Sequence, residues 1–166
     1  MSLPSFTNGS TASSTGRKSV LVTGGCGYIG SHTIVVLLQH QYNVVVVDNL
    51  INSSAVSLDR VAKICNLTED ERKERLIFHR VDLCHITELQ SVFQQYPYKF
   101  HSVIHFAGLK AVGESTRLPI RYYENNLVGT FNLISCMEEF DCHSIVFSSS
   151  ATGKLHLNNL CKFIWV

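Results

Sequence analysis

Apolar positions along the chain fall in short runs whose spacing alternates between two kinds. The runs SVLVT, NVVVVD, LIFHRVD and SVIHFAG are β-branched-rich, and between them YIGSHTIVVLLQH, SAVSLDRVAKIC and TELQSVFQQ repeat at helical spacing. That rhythm predicts right-handed βαβ units and a parallel sheet with helices on both faces. Residues 44–47, and 103–106 apart from His105, are apolar at consecutive positions, which marks strands covered on both sides and therefore interior to the sheet. Leu58, Val61, Ala62 and Cys65 recur at one helix face, and Thr68 with Glu71 and Thr87 with Gln90 have capping-box spacing. A longer helix is predicted to open near Pro119 and to turn Ile120, Tyr123, Leu127, Ile134 and Met137 inward, before a fifth strand at 144–148.

Two segments stand outside this rhythm. Residues 1–17 are small and polar without periodicity and read as a disordered lead-in, leaving an ordered domain over 18–152. Residues 153–166 pass from a polar stretch to an apolar tail with Phe163, Ile164 and Trp165, an atypical end for such a domain. A sheet that stops after about its fifth strand is expected to leave an edge unpaired, with the tail frayed rather than covering it.

Composition narrows the function classes. With 166 residues, 45% hydrophobic and 16% charged, the chain has the make-up of one globular domain. Its 14 basic and 13 acidic side chains give a net charge of +1, which suggests neither a nucleic-acid groove nor a polybasic membrane contact. No apolar stretch approaches the roughly 18 residues of a membrane span, and no signal-peptide core precedes the domain. The six cysteines lack CxxC or zinc-finger spacing, which points to reduced thiols in the cytoplasm and to no metal site.

The chemistry concentrates after the first strand. In TGGCGYIGSH, Gly24, Gly27 and Gly30 fit GxxGxxG, while Gly25, Gly27 and Gly30 fit GxGxxG. Between a strand and a helix, such glycines permit a tight turn, close approach of a pyrophosphate, and helix-on-strand packing. The helix N-terminus then offers free N–H groups and its positive dipole end to an anion. Asp48 closes the second strand at about the 20-residue interval where an acid meets ribose hydroxyls. Its charge opposes a 2′-phosphate, and no arginine comes directly after it, so NAD is expected in preference to NADP. The implied fold class is α/β, a Rossmann-type doubly wound parallel sheet truncated after about the fifth strand.

Longer segments carry a resemblance. VTGGCGYIGSHT, VVDNLINS, HFAGLKAVGEST, YYENN and VFSSSAT resemble the extended short-chain dehydrogenase/reductase family, and within it the UDP-glucose 4-epimerase family of isomerases, over about residues 18–152. The resemblance implies that Tyr28 and Ile29 lie at the pyrophosphate and that Asp48, Asn49, Leu50, Ile51, Asn52 and Ser53 flank the adenosine ribose. It places Asp82 and Leu83 beside the adenine, and Phe106, Ala107, Gly108, Leu109 and Lys110 along the cofactor, with Lys110 near the nicotinamide ribose. Asn125 would reach the cofactor from the long helix, and Ser150 would hydrogen-bond the sugar as a supporting active-site residue. His105, inside a strand, is expected to be a satisfied core residue, and His32 lies on the first helix.

In that family a tyrosine base sits one helical turn before a lysine, which together with the oxidised cofactor lowers a phenol pKa that starts near ~10. None of the six tyrosines here has a lysine four residues on, and after Ala151 and Thr152 the family's pattern gives way to Gly153 and Lys154. Loss of acid–base assistance costs roughly 10²–10⁴-fold in rate, so the chain alone is expected to be inactive in UDP-glucose/UDP-galactose interconversion. The partners implied are a UDP-sugar in the complete enzyme, and a second copy or a full-length subunit docked on the long helix. The alternatives are a non-catalytic NAD-binding or epimerase-partner module, or another NAD-dependent sugar-nucleotide epimerase or dehydratase.

Overall fold

The computed structural model describes residues 16–96 and 99–149. Most of the expected lead-in, the tail at 153–166, and Ser150 lie outside the described residues. Five parallel strands, β1 (Ser19–Thr23), β2 (Asn43–Asp48), β3 (Leu76–Arg80), β4 (Ser102–His105) and β5 (Ile145–Phe147), form one sheet in the order β3-β2-β1-β4-β5. β2 and β4 flank the central β1, the interior placement expected for both. The strand order reverses between β1 and β4, and ligands of open α/β sheets bind at that point, outside the carboxyl ends of the strands.

Each face has its own core. On one, Val20, Val22, Val44 and Val46 pack with Ile34 and Leu38 of α1 (Tyr28–Gln39) and with Leu58, Val61 and Ala62 of α2 (Val56–Ile64). On the other, Leu21, Val45, Val47 and Val103 meet Leu89, Val92 and Phe93 of α4 (Ile86–Gln95), together with Leu133, Cys136 and Met137 of α7 (Gly129–Glu139). The alternation along β1 and β2 explains why their central residues are all apolar: neighbouring side chains point into different cores. α3 (Glu69–Arg75) opens on the capping box expected at Thr68 and Glu71.

Two expectations fail. α4 begins at Ile86 behind His85, so Thr87 lies inside the helix and caps nothing; its backbone carbonyl instead accepts from the Ser91 hydroxyl. The long helix is in register as far as α5 (Val112–Ser115) and α6 (Pro119–Tyr123) lead into it, with Pro119 in the first turn, but its inward face is another one. Ile120, Tyr123, Leu127 and Ile134 are exposed, from 41% at Ile134 to 65% at Ile120, and only Met137 of the expected set is buried. Tyr122, Leu133 and Cys136 occupy the core instead. Between α6 and α7 the chain runs as a π-helix over Glu124–Val128. The buried positions Tyr122, Leu133, Cys136 and Met137 lie on one face on either side of it, and Ile120, Tyr123, Leu127 and Ile134 on the other.

Candidate functional site

The glycine turn is set by backbone demands. Gly24 adopts φ +67°, its N–H donates to the Val47 carbonyl at 2.8 Å, and a Cβ there would come within 2.6 Å of the Ala107 nitrogen. A Cβ on Gly30 would lie 2.5 Å from the Gly24 carbonyl oxygen, so α1 starts pressed against the turn. Gly27 is the N-cap and supplies no side-chain cap, and no acidic residue occupies the first turn. The first-turn N–H groups have no intrahelical acceptor, and the helix start, Gly27 and Tyr28, lines the cleft with the dipole's positive end. That cradle fits a diphosphate.

Asp48 is 7% exposed and already engaged. Oδ2 accepts from the Cys26 N–H at 3.0 Å, and Oδ1 accepts from the Leu50 N–H at 2.9 Å and the Ser53 hydroxyl at 2.8 Å. Three of the roughly four acceptor positions of a carboxylate are thus filled from nearby loops, which leaves one on Oδ2 for a ribose hydroxyl. Cys26, beside it, is pushed up to about 12 by burial and by the Asp48 charge, so its thiol stays protonated and inert.

Two loops form the walls. After β3, Asp82 accepts from the Cys84 N–H at 2.9 Å and from Asn49 Nδ2 at 3.0 Å. Burial works against its charge, but those bonds outweigh it and hold the carboxyl below its ordinary range. After β4, residues 106–110 run under the π-helical turn. Asn126 Oδ1 accepts from the Leu109 N–H at 2.8 Å, its Nδ2 donates to the Leu109 carbonyl at 2.9 Å, and Asn125 Nδ2 donates to Asn126 Oδ1 at 2.9 Å.

Behind the walls, His105 is 2% exposed. Thr130 Oγ1 donates to the Asn126 carbonyl at 2.6 Å, which spends its one proton, so it accepts from His105 Nε2 at 2.9 Å. Nδ1 therefore carries no proton and accepts from Thr23 Oγ1 at 2.5 Å. Burial lowers the His105 pKa to about 4, in keeping with this neutral tautomer. It is the satisfied core histidine expected, bolting β1, β4 and α7 together.

Gly24, Gly27, Tyr28, Asp48, Asn49, Ile51, Asn52, Asp82, Leu83, Asn125 and the run Phe106, Ala107, Gly108, Leu109 and Lys110 line one cleft. Four expected residues do not. Ile29 is exposed beside the mouth, and Gly30 is buried against the turn. Leu50, at φ +61°, packs into the α1–α2 core, and Ser53 acts only through Asp48. Val47 and Val81 also line the cleft and Asn126 anchors it; a strand-end valine and an asparagine inside a helix carry no motif that distinguishes them. Among the described residues no cluster of metal-ligating side chains occurs, and no helix is long and apolar enough to cross a membrane.

The family model for GDP-mannose 4,6 dehydratase matches residues 21–155. The chain belongs to that family. Among similar proteins, UDP-glucose 4-epimerase 2 of Arabidopsis thaliana is 56% identical over 135 residues, which are 81% of this chain and 37% of the plant protein. The crystal structure of UDP-glucose 4-epimerase from Bifidobacterium longum in complex with NAD+ and UDP superposes with a TM-score of 0.73 at 43% identity, covering 81% of this chain and 38% of that one. The enzyme from Stenotrophomonas maltophila, with bound NAD and formylated UDP-arabinopyranose, gives 0.73 at 38% identity over 82% and 38%. The chain thus spans a little over a third of the length of these proteins and corresponds to their N-terminal part.

Proposed function

We propose that residues 18–152 are the NAD-binding part of a UDP-glucose 4-epimerase, acting in UDP-glucose/UDP-galactose interconversion only where a tyrosine–lysine pair and a substrate-binding surface complete the site. The observation that carries this reading is the cleft itself. An uncapped helix start, a turn with no room for a Cβ, and a carboxylate with one acceptor position left converge there. These groups match, in order, a diphosphate, its close approach to backbone, and a ribose hydroxyl. NAD, when bound, supplies hydride transfer at the 4-position carbon of a UDP-hexose. This chain's residues bind and orient it: the turn and α1 hold the diphosphate, Asp48 the ribose, and the Asn126-anchored loop the opposite wall, with Lys110 at its open end. The negative Asp48 favours NAD over NADP.

Pairing with a second copy or with a full-length subunit is the partner reading, and the outward stripe Ile120, Tyr123, Leu127, Phe131 and Ile134 supports it, since five large apolar side chains on one solvent-facing helix ask to be covered. The free thiols of Cys26, Cys65, Cys84, Cys136 and Cys142 suit a reducing cytoplasm.

Calorimetric titration of the 166-residue chain with NAD, beside a coupled epimerase assay with UDP-galactose, tests the proposal. NAD binding without turnover is the expected result. Failure to bind NAD overturns the reading of the cleft, and turnover overturns the need for the tyrosine–lysine pair.

A further inference from the structure

The wall of the cleft next to Asp48 is held from the long helix. Asn132, half-buried on α7, donates from Nδ2 to the Leu83 carbonyl at 2.8 Å. A Cβ built on Gly129 would stand 3.1 Å from the Leu83 Cβ, so the helix backbone is pressed against that residue. On its other side the segment is tied to the ribose end of the cleft, because Asp82 accepts from Asn49 Nδ2 at 3.0 Å, next to Asp48. Cys84 Sγ lies 3.6 Å from the Glu124 carbonyl oxygen and completes the fixation. Val81, Leu83 and Ile51 give this end of the cleft an apolar surface suited to the flat face of a purine, and Asn49, Asn52 and Asp82 beside them supply polar groups for its edge.

We infer that Asn132 is a positioning residue for the nucleoside end of the cofactor, acting through the Leu83 backbone; the inference rests on the reading that the cleft holds NAD. A binding wall works only when its support fixes it within about 0.5 Å. Asn132 supplies that support from α7, while Asn126 of the preceding π-helical turn holds the opposite wall. The two asparagines therefore divide the cofactor between them, Asn132 the purine half and Asn126 the half toward Lys110.

The test is calorimetric titration of NAD and of AMP, which carries the purine half only, into the full chain and into Asn132→Ala, Asn132→Gln and Asn126→Ala, with melting of each nucleotide-free protein. Asn132→Ala is expected to lose about tenfold in affinity for both nucleotides, a factor equivalent to ~1.4 kcal/mol. Asn132→Gln, which keeps the amide donor, is expected to recover most of that loss, while Asn126→Ala weakens NAD but leaves AMP within about twofold. Unchanged AMP affinity in Asn132→Ala overturns the assignment. So does a loss in the two Asn132 variants that tracks only their drop in melting temperature. A parent chain that binds neither nucleotide overturns the cofactor reading itself, and the assignment with it.

Discussion

Asn126 grips Leu109 at both backbone ends, its amide accepting from the N–H at 2.8 Å and donating to the carbonyl at 2.9 Å. This is how an asparagine inside a helix comes to shape a wall of the cleft. Asn126→Ala leaves two partly buried backbone groups without these partners, at about 1–3 kcal/mol for each group left unsatisfied. The expected outcome is a lower melting midpoint by circular dichroism. Asn126→Asp should melt lower still, since it sets a carboxylate oxygen against the Leu109 carbonyl.

Gly24→Ala should damage binding more than folding. The substitution forces an alanine to φ +67° and places its Cβ 2.6 Å from the Ala107 nitrogen. The left-handed conformation alone costs about 1–2 kcal/mol, and relief of the clash moves the β4 loop off the turn. NAD titration should show affinity falling by more than tenfold in a protein that still unfolds cooperatively.

Stability should fall with acid before the carboxylates titrate. Above about pH 6.5 His105 is neutral in both the folded and the unfolded chain and adds no slope. Below that value the unfolded chain takes up a proton that the folded chain refuses until about pH 4, so stability declines across this window by on the order of 3 kcal/mol. His79, also lowered by burial, acts in the same direction. Urea unfolding at pH 7, 6, 5 and 4.5 measures the slope, and His105→Gln should flatten much of it. A slope that survives the substitution intact would place the effect elsewhere.

The limits of pattern reading show at particular residues. Val44 and Val103 are legible as interior strand positions because burial on both faces leaves their runs apolar but for His105, whose two ring nitrogens are both hydrogen-bonded. The glycine turn and Asp48 are legible because their spacing is dictated by backbone geometry and by the reach to a ribose. The long helix misleads for a physical reason: it is apolar on two sides, and periodicity does not tell a face turned to the core from one turned to solvent. The core takes the face of Tyr122, Leu133, Cys136 and Met137, so Leu133 and Cys136 fall inward where Ile134 is expected. Ser53 and Leu50 are expected at the cofactor from their place after Asp48; in the fold Ser53 donates to Asp48 and Leu50 packs against the core of α1 and α2.

The outward face of that helix gives a further expectation. Phe131→Glu places a charge in the middle of the stripe without touching the core. Sedimentation velocity should show self-association or binding to a full-length subunit reduced at least tenfold, with the nucleotide-free melting temperature changed by no more than about 2 °C, as for a surface substitution. A drop in melting temperature with pairing intact would assign the stripe to internal packing instead.

The placement of β1 between β2 and β4 has a kinetic consequence. Its hydrogen bonds to β2 join segments close along the chain, while its bonds to β4 and the Thr23–His105 link span 82 residues. Contacts of that span carry the larger loop-closure cost and form late. The half containing the glycine turn and Asp48 can therefore assemble first and wait, its apolar β1 edge bare, until β4 docks and brings residues 106–110 over the turn. If the two halves assemble in that order, the cleft is the seam between them, and a ligand that bridges the seam would report on the last step of folding.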